Sequence, residues 1–135
     1  MATALATGVR YFLIVFAIGF ALGTLRTLFV APRLGDLAAV ALELPLMLMG
    51  AWWVCGRLVR HLPPGIAPRA VMGGSAFVLL MVAEFAMSLW LFGRSPAAYA
   101  AGLRNAAGLL GLAGQIAFAT LPLIDHAYRR GQRRR

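Results

Sequence analysis

The stretch YFLIVFAIGFALGTLRTLFVA, residues 11–31, decides the fold. It runs twenty-one residues with a single charge, Arg26. A helix rising 1.5 Å per residue needs about 20 apolar residues to cross the hydrocarbon core of a bilayer. Three more stretches share this character, at 37–56, 70–92 and 106–124. Breakers separate them: Pro32-Arg33-Leu34-Gly35-Asp36, then Leu62-Pro63-Pro64-Gly65 with Pro68, then Gly93-Arg94-Ser95-Pro96. The pattern predicts an all-α fold, a four-transmembrane-helix bundle forming a single integral membrane domain over 1–135. Ala97 to Asn105 reads as an interfacial stretch with Tyr99 at headgroup level. Residues 125–135 read as a solvated basic tail.

Composition supports this. Hydrophobic residues make up 61% of the 135, and the mean hydropathy is +0.81. Soluble domains hold about 45–50% apolar residues, and a fold of this size buries only about two-thirds of its surface. Lipid must solvate the rest. The net charge is +9, carried entirely by Arg. Those Arg residues lie between the spans and at the C-terminus, so they suggest anionic headgroups near the Arg tail rather than nucleic acid. With four spans both termini share one side. That side carries Arg10, Arg57, Arg60, Arg69 and five Arg of the tail, against Arg33, Arg94 and Arg104 opposite, with Arg26 if it reaches the interface. The positive-inside rule then puts both termini in the cytoplasm. Ala21-Leu22-Gly23 faintly resembles a signal cleavage site. The apolar run continues through Val30, too far for a signal core, so an uncleaved first span is expected.

The ionisable residues inside the spans carry the functional information. A charge at a helix centre costs roughly 2.5 to 3.5 kcal/mol on insertion scales. Counting from the predicted span ends, Arg26 lies roughly 6 Å, Glu43 roughly 9 Å and Glu84 roughly 12 Å below the outer interface. Gln115 falls near mid-membrane and Asn105 near the outer edge. Arg26 and Glu43 sit on consecutive antiparallel helices and are expected to pair, since the guanidinium fork suits a carboxylate. Glu84 is then left over. It is expected to be protonated, to bond Ser88 or Gln115, or to share Arg26. Gly19, Gly23 and Arg26 share one helix face, and Gly108, Gly111 and Gln115 another, so both faces are expected to be packed. Pro45 cannot donate to the Ala41 carbonyl, which predicts a kink and a free carbonyl beside Glu43.

Other chemistries lack their residues. No His lies in a span, and Cys55 is the single cysteine. There is no Gly-rich phosphate loop, no Ser-His-Asp set and no CxxC. No cofactor or metal is expected, and Asp125-His126 reads as a solvated helix end. The three Trp are expected near helix ends, with Trp53 deep enough to pack in the bundle.

Gly23-Thr24-Leu25-Arg26, the run Val30 to Gly35, and Glu43-Leu44-Pro45-Leu46-Met47 together resemble a pattern in small four-helix bacterial inner-membrane proteins. The resemblance covers about the first third of the chain. It implies a multi-pass protein of the bacterial inner membrane and brings no activity. Three readings follow. One is a small proton-coupled transporter acting as an oligomer, with Glu43 and Glu84 as proton or cation sites and Arg26 as counter-ion. The second is an accessory subunit or assembly factor with a membrane-protein partner. The third is a lipid- or quinone-handling enzyme. The non-enzymatic readings are favoured.

Overall fold

A computed structural model of the chain describes residues 1–132. Helix α1 spans Ala2–Leu34, α2 Asp36–Leu58, α3 Ile66–Trp90, α4 Pro96–Arg104 and α5 Ala106–Gln132. No strand occurs among the described residues. Four of these helices, α1, α2, α3 and α5, are long and apolar enough to cross a membrane. They outrun the expected spans. α1 begins at Ala2 and ends at Leu34, and α5 continues past Ile124 to Gln132. The segment expected as a solvated tail is therefore helical as far as it is described; Arg133 to Arg135 lie outside the described residues. One cause is local: Asp125 and Arg129 are four residues apart and pair across one turn.

A single residue, Gly35, turns α1 into α2. Its φ of 81° and ψ of 163° fall in a region that is essentially glycine-only. Its N–H donates to the Ala31 carbonyl at 2.9 Å, closing the last turn of α1. So short a turn forces α1 and α2 to lie side by side. α1 also packs on α3, and α5 packs on α2 and α3, so α1 faces α5 across the diagonal of the bundle. The segment between α2 and α3 is tied down by the buried Arg69. Its Nη1 donates to the Gly65 carbonyl at 2.7 Å and the Pro63 carbonyl at 3.4 Å.

The two halves of the bundle differ. Buried apolar side chains concentrate toward the end that carries both termini: Tyr11 and Val15 of α1, Val54 and Cys55 of α2, Met72 and Ala76 of α3, Phe118 and Leu121 of α5. Backbones approach closely here. A methyl group on Gly73 would collide with the Ala119 carbonyl oxygen, and one on Gly8 with the Ser75 hydroxyl. At the centre lies a bond the sequence did not announce. Pro122 sits inside α5 and has no N–H for the carbonyl four residues back, that of Phe118. The hydroxyl of Tyr11, wholly buried, donates to that carbonyl oxygen at 3.1 Å, and the Tyr11 and Phe118 rings stack at 4.4 Å. Pro122 therefore creates the acceptor that joins α1 to α5 across the diagonal.

Tyr11→Phe should cost about 1 kcal/mol, the worth of one hydrogen bond within a membrane bundle. In a Pro122→Ala background the Phe118 carbonyl regains an intrahelical donor, so Tyr11→Phe should cost measurably less there. Unfolding free energies of the four proteins in mixed micelles supply the double-mutant cycle; equal costs in both backgrounds would refute the link.

Candidate functional site

Four polar side chains, one from each long helix, meet in the half of the bundle away from the termini. Counted along their helices, Arg26, Glu43, Glu84 and Gln115 lie roughly 9 to 14 Å from the nearest helix ends at that side. Arg26 Nε of α1 stands 2.5 Å from Glu43 Oε2 of α2. Gln115 Nε2 of α5 donates to Glu84 Oε2 of α3 at 2.6 Å. Arg26 and Glu43 are both within electrostatic reach of Glu84, so the two pairs form one electrostatic unit. Local sequence explains the approach on the α1–α2 side. Gly19 leaves room for the Met47 side chain, and Gly23 lies in ordinary contact range of Glu43 and the Arg26 guanidinium.

Arg26 also begins a widened turn. Over Arg26–Val30 the α-helical register gives way to π-helix, and the Ala31 N–H reaches five residues back to the Arg26 carbonyl. Pro32 follows at once and removes the donor that the Leu28 carbonyl would use in an α-helix. Such one-turn π segments recur at functional sites. Pro32 was the available sequence signal, hidden among the breakers that end the span.

The remaining expected members are placed differently. Ser88 is buried on α3, but its hydroxyl has no hydrogen-bond partner; Glu84 takes the amide of Gln115 instead. Asn105 is exposed, and its Oδ1 accepts from the Gly108 N–H at 2.7 Å, so it caps α5. Pro45 lies inside the unbroken α2, and both it and Ala41 are exposed. At 100° per residue Ala41 stands about 200° from Glu43, so the carbonyl freed by Pro45 faces away from the cluster. Gly111 meets open space, while Gly114 receives the Leu44 side chain. Gly108 is packed as expected, against the Gly102 carbonyl, and the second packed glycine of α5 is Gly114 rather than Gly111.

Tyr99 joins the cluster from outside. Ser95 caps α4 by accepting from the Ala98 N–H at 3.1 Å, with Pro96 in the first turn. The Tyr99 ring then packs edge-on to Phe85 at 5.2 Å. Burial, and after it the charge of Glu84, raise the pKa of its phenol above the usual value.

A second charged group sits at the terminal end. Asp125, read as part of a solvated helix end, is only 3% exposed. Arg129 Nε donates to both its carboxylate oxygens, at 3.0 and 2.8 Å, and Arg129 Nη2 donates to the Gly56 carbonyl at 3.3 Å. Asp125 thus holds Arg129 by a bifurcated bond from Nε, and the Nη2 contact joins α5 to the end of α2. Among the described residues, no group of three or more His, Cys, Asp or Glu could hold a metal ion.

No protein-family model, curated protein or solved structure matches this chain.

The far cluster sets two carboxyl groups against one guanidinium. Arg26 Nε is engaged by Glu43, while Gln115 Oε1 and Ser88 Oγ are buried without partners. Such an arrangement can take up a proton, a water or a small cation without first breaking a closed network. Replacing Glu84 by Gln should lower the pH at which Tyr99 ionises, because it removes a negative charge that opposes tyrosinate formation. Tyrosinate absorbance, measured as the difference from a Tyr99→Phe blank, reads this directly. An unmoved titration would mean that Glu84 carries no charge felt at Tyr99.

Proposed function

We propose that this chain is a small multi-pass protein of a bacterial inner membrane, both termini cytoplasmic, in which Arg26, Glu43, Glu84 and Gln115 form the proton-handling site of a small transporter. The observation that carries this reading is that the cluster is unclosed. A purely structural buried network is expected to satisfy every donor and acceptor, because each orphan costs about 1–3 kcal/mol. This one leaves two polar atoms, Gln115 Oε1 and Ser88 Oγ, unpartnered beside an excess carboxyl group. Ionisable groups inside membranes are by default candidates for proton or ion pathways. The π-helical turn at Arg26 supplies backbone able to change register at the site. In this reading Glu84 exchanges the proton, Gln115 holds its carboxyl group, and Arg26 with Glu43 sets the local potential.

Four helices are few for a solute pathway. Two surface grooves, one lined by Ala86, Met87, Trp90 and Leu91 and the other including Leu5, Val9, Val71 and Gly74, are apolar and touch no member of the cluster. Transport therefore calls for an oligomer, with the pathway between copies. A second reading, an accessory subunit of a larger membrane complex, draws on one further observation. The Arg26 side chain keeps 31% of its surface exposed and Glu43 18%, on a flank that a partner helix could cover.

Reconstitution into liposomes under an imposed pH gradient separates the two. Transport predicts a proton flux, read by a lumenal pH dye, that falls to the level of empty vesicles in Glu84→Gln. Helix content of the variant should be unchanged by circular dichroism. Flux that is absent in the parent chain, or unaffected by Glu84→Gln, rules the transporter out. Stable co-purification with one membrane protein would then support the subunit reading.

A further inference from the structure

We propose that the flank of α2 and α5 at the end carrying the termini is a binding site for a single anionic phospholipid, with Arg57 and Arg129 on its phosphate. This does not rest on the role of the far cluster; it uses other residues at the other end of the bundle.

One exposed lane of α2 reads like a phospholipid laid lengthwise. Leu42, Leu46, Met49, Trp53 and Arg57 follow one another at intervals of four, three, four and four residues, so they stack on one helix face. Each of them is exposed. Trp53 is 60% exposed and Met49 62%, so Trp53 faces outward rather than packing in the bundle as the sequence suggested. From Leu42 to Trp53 the lane is apolar for roughly 16 Å. That is close to half the thickness of the hydrocarbon core, the depth reached by one acyl chain. At its end the Arg57 guanidinium lies over the Trp53 ring, 3.9 Å from the centroid, held by cation–π attraction.

α5 completes the polar end. Arg129 Nη2 reaches the Gly56 carbonyl, next to Arg57 in the chain, and Arg129 itself is oriented by Asp125. Tyr128 stands edge-on to Trp52, with ring centroids 6.5 Å apart. One guanidinium group thus lies over Trp53 and the other on the backbone of the neighbouring residue Gly56, with the Trp52 and Tyr128 rings paired beside them. The chain has four acidic side chains, and Asp125 is the one on this side; among the described residues it pairs with Arg129. Arg57, Arg60 and Arg130 are exposed around it. The positive charge left over argues against a second copy of this chain on the same face, since two such faces would repel. Free phosphate would use the arginines but leave the apolar lane without a role. An amphiphile with a phosphate head uses both.

The test is native mass spectrometry of the purified protein in detergent, titrated with phosphatidylglycerol, with phosphatidylcholine and with inorganic phosphate. The site predicts one preferred phosphatidylglycerol adduct. In Arg57→Gln its affinity should fall about fivefold, the loss expected for one interfacial Arg contact. Arg57→Lys should recover part of it. Arg10→Gln, which removes an arginine at the same end but off the lane, should leave binding within error. Equal losses in Arg10→Gln and Arg57→Gln would overturn the site in favour of diffuse attraction to the basic face. Equal binding of phosphatidylcholine, or displacement of the lipid by millimolar inorganic phosphate, would overturn it as well. Arg129→Gln is less clean because it leaves Asp125 buried without its partner, so Arg57 carries the test.

Discussion

A hydrocarbon environment supplies no hydrogen bonds, so every polar group that enters it must find a partner within the protein. The architecture depends on this constraint. It requires the backbone to be helical through each span. It also makes each break in a helix a local problem with a local answer. Pro122 frees the Phe118 carbonyl, and Tyr11 answers from the opposite helix. Pro45 frees the Ala41 carbonyl on an exposed face instead. Two prolines with the same covalent defect therefore have different consequences, decided by which way the freed carbonyl points. One becomes a tertiary bond and the other does not.

The same constraint divides the molecule. In the half near the termini, small residues such as Gly8 and Gly73 bring backbones into contact, and the apolar core closes around Tyr11, Cys55, Met72 and Phe118. Close packing of this kind tolerates few unpaired groups, and the buried Asp125 is held there by two bonds from one guanidinium. In the other half the ion pair and the Glu–Gln bond leave Gln115 Oε1 and Ser88 Oγ without partners, as Arg69 Nε is in the terminal half.

Much of this was legible in the sequence, for identifiable reasons. Span count follows from apolar length, and depth follows from position along a helix of known rise. These two suffice to bring Arg26, Glu43, Glu84 and Gln115 to one level. Rotation about the helix axis was less legible. The angular errors fall where it matters: Gly111 in place of Gly114, the Ala41 carbonyl on the wrong face, Trp53 turned outward. The π-turn after Arg26 adds a residue to one turn and shifts every later face of α1, which no fixed 3.6-residue period can anticipate. Asp125 was misplaced for a different reason. Its burial depends on Arg129, and a charged pair four residues apart looks the same in sequence whether it is solvated or docked against Gly56.

The acids and arginines of this chain are also unevenly shared between the ends. Of the four acidic side chains, Asp36, Glu43 and Glu84 lie toward the far side and only Asp125 lies near the termini. The arginines are weighted the opposite way. An uneven charge along the bundle axis creates a field directed from the terminal end toward the carboxylate cluster. Groups that could move a proton sit at the negative end of that field, and groups that could hold a lipid phosphate sit at the positive end. The apolar core between them keeps the two sets of charges apart, so that neither neutralises the other.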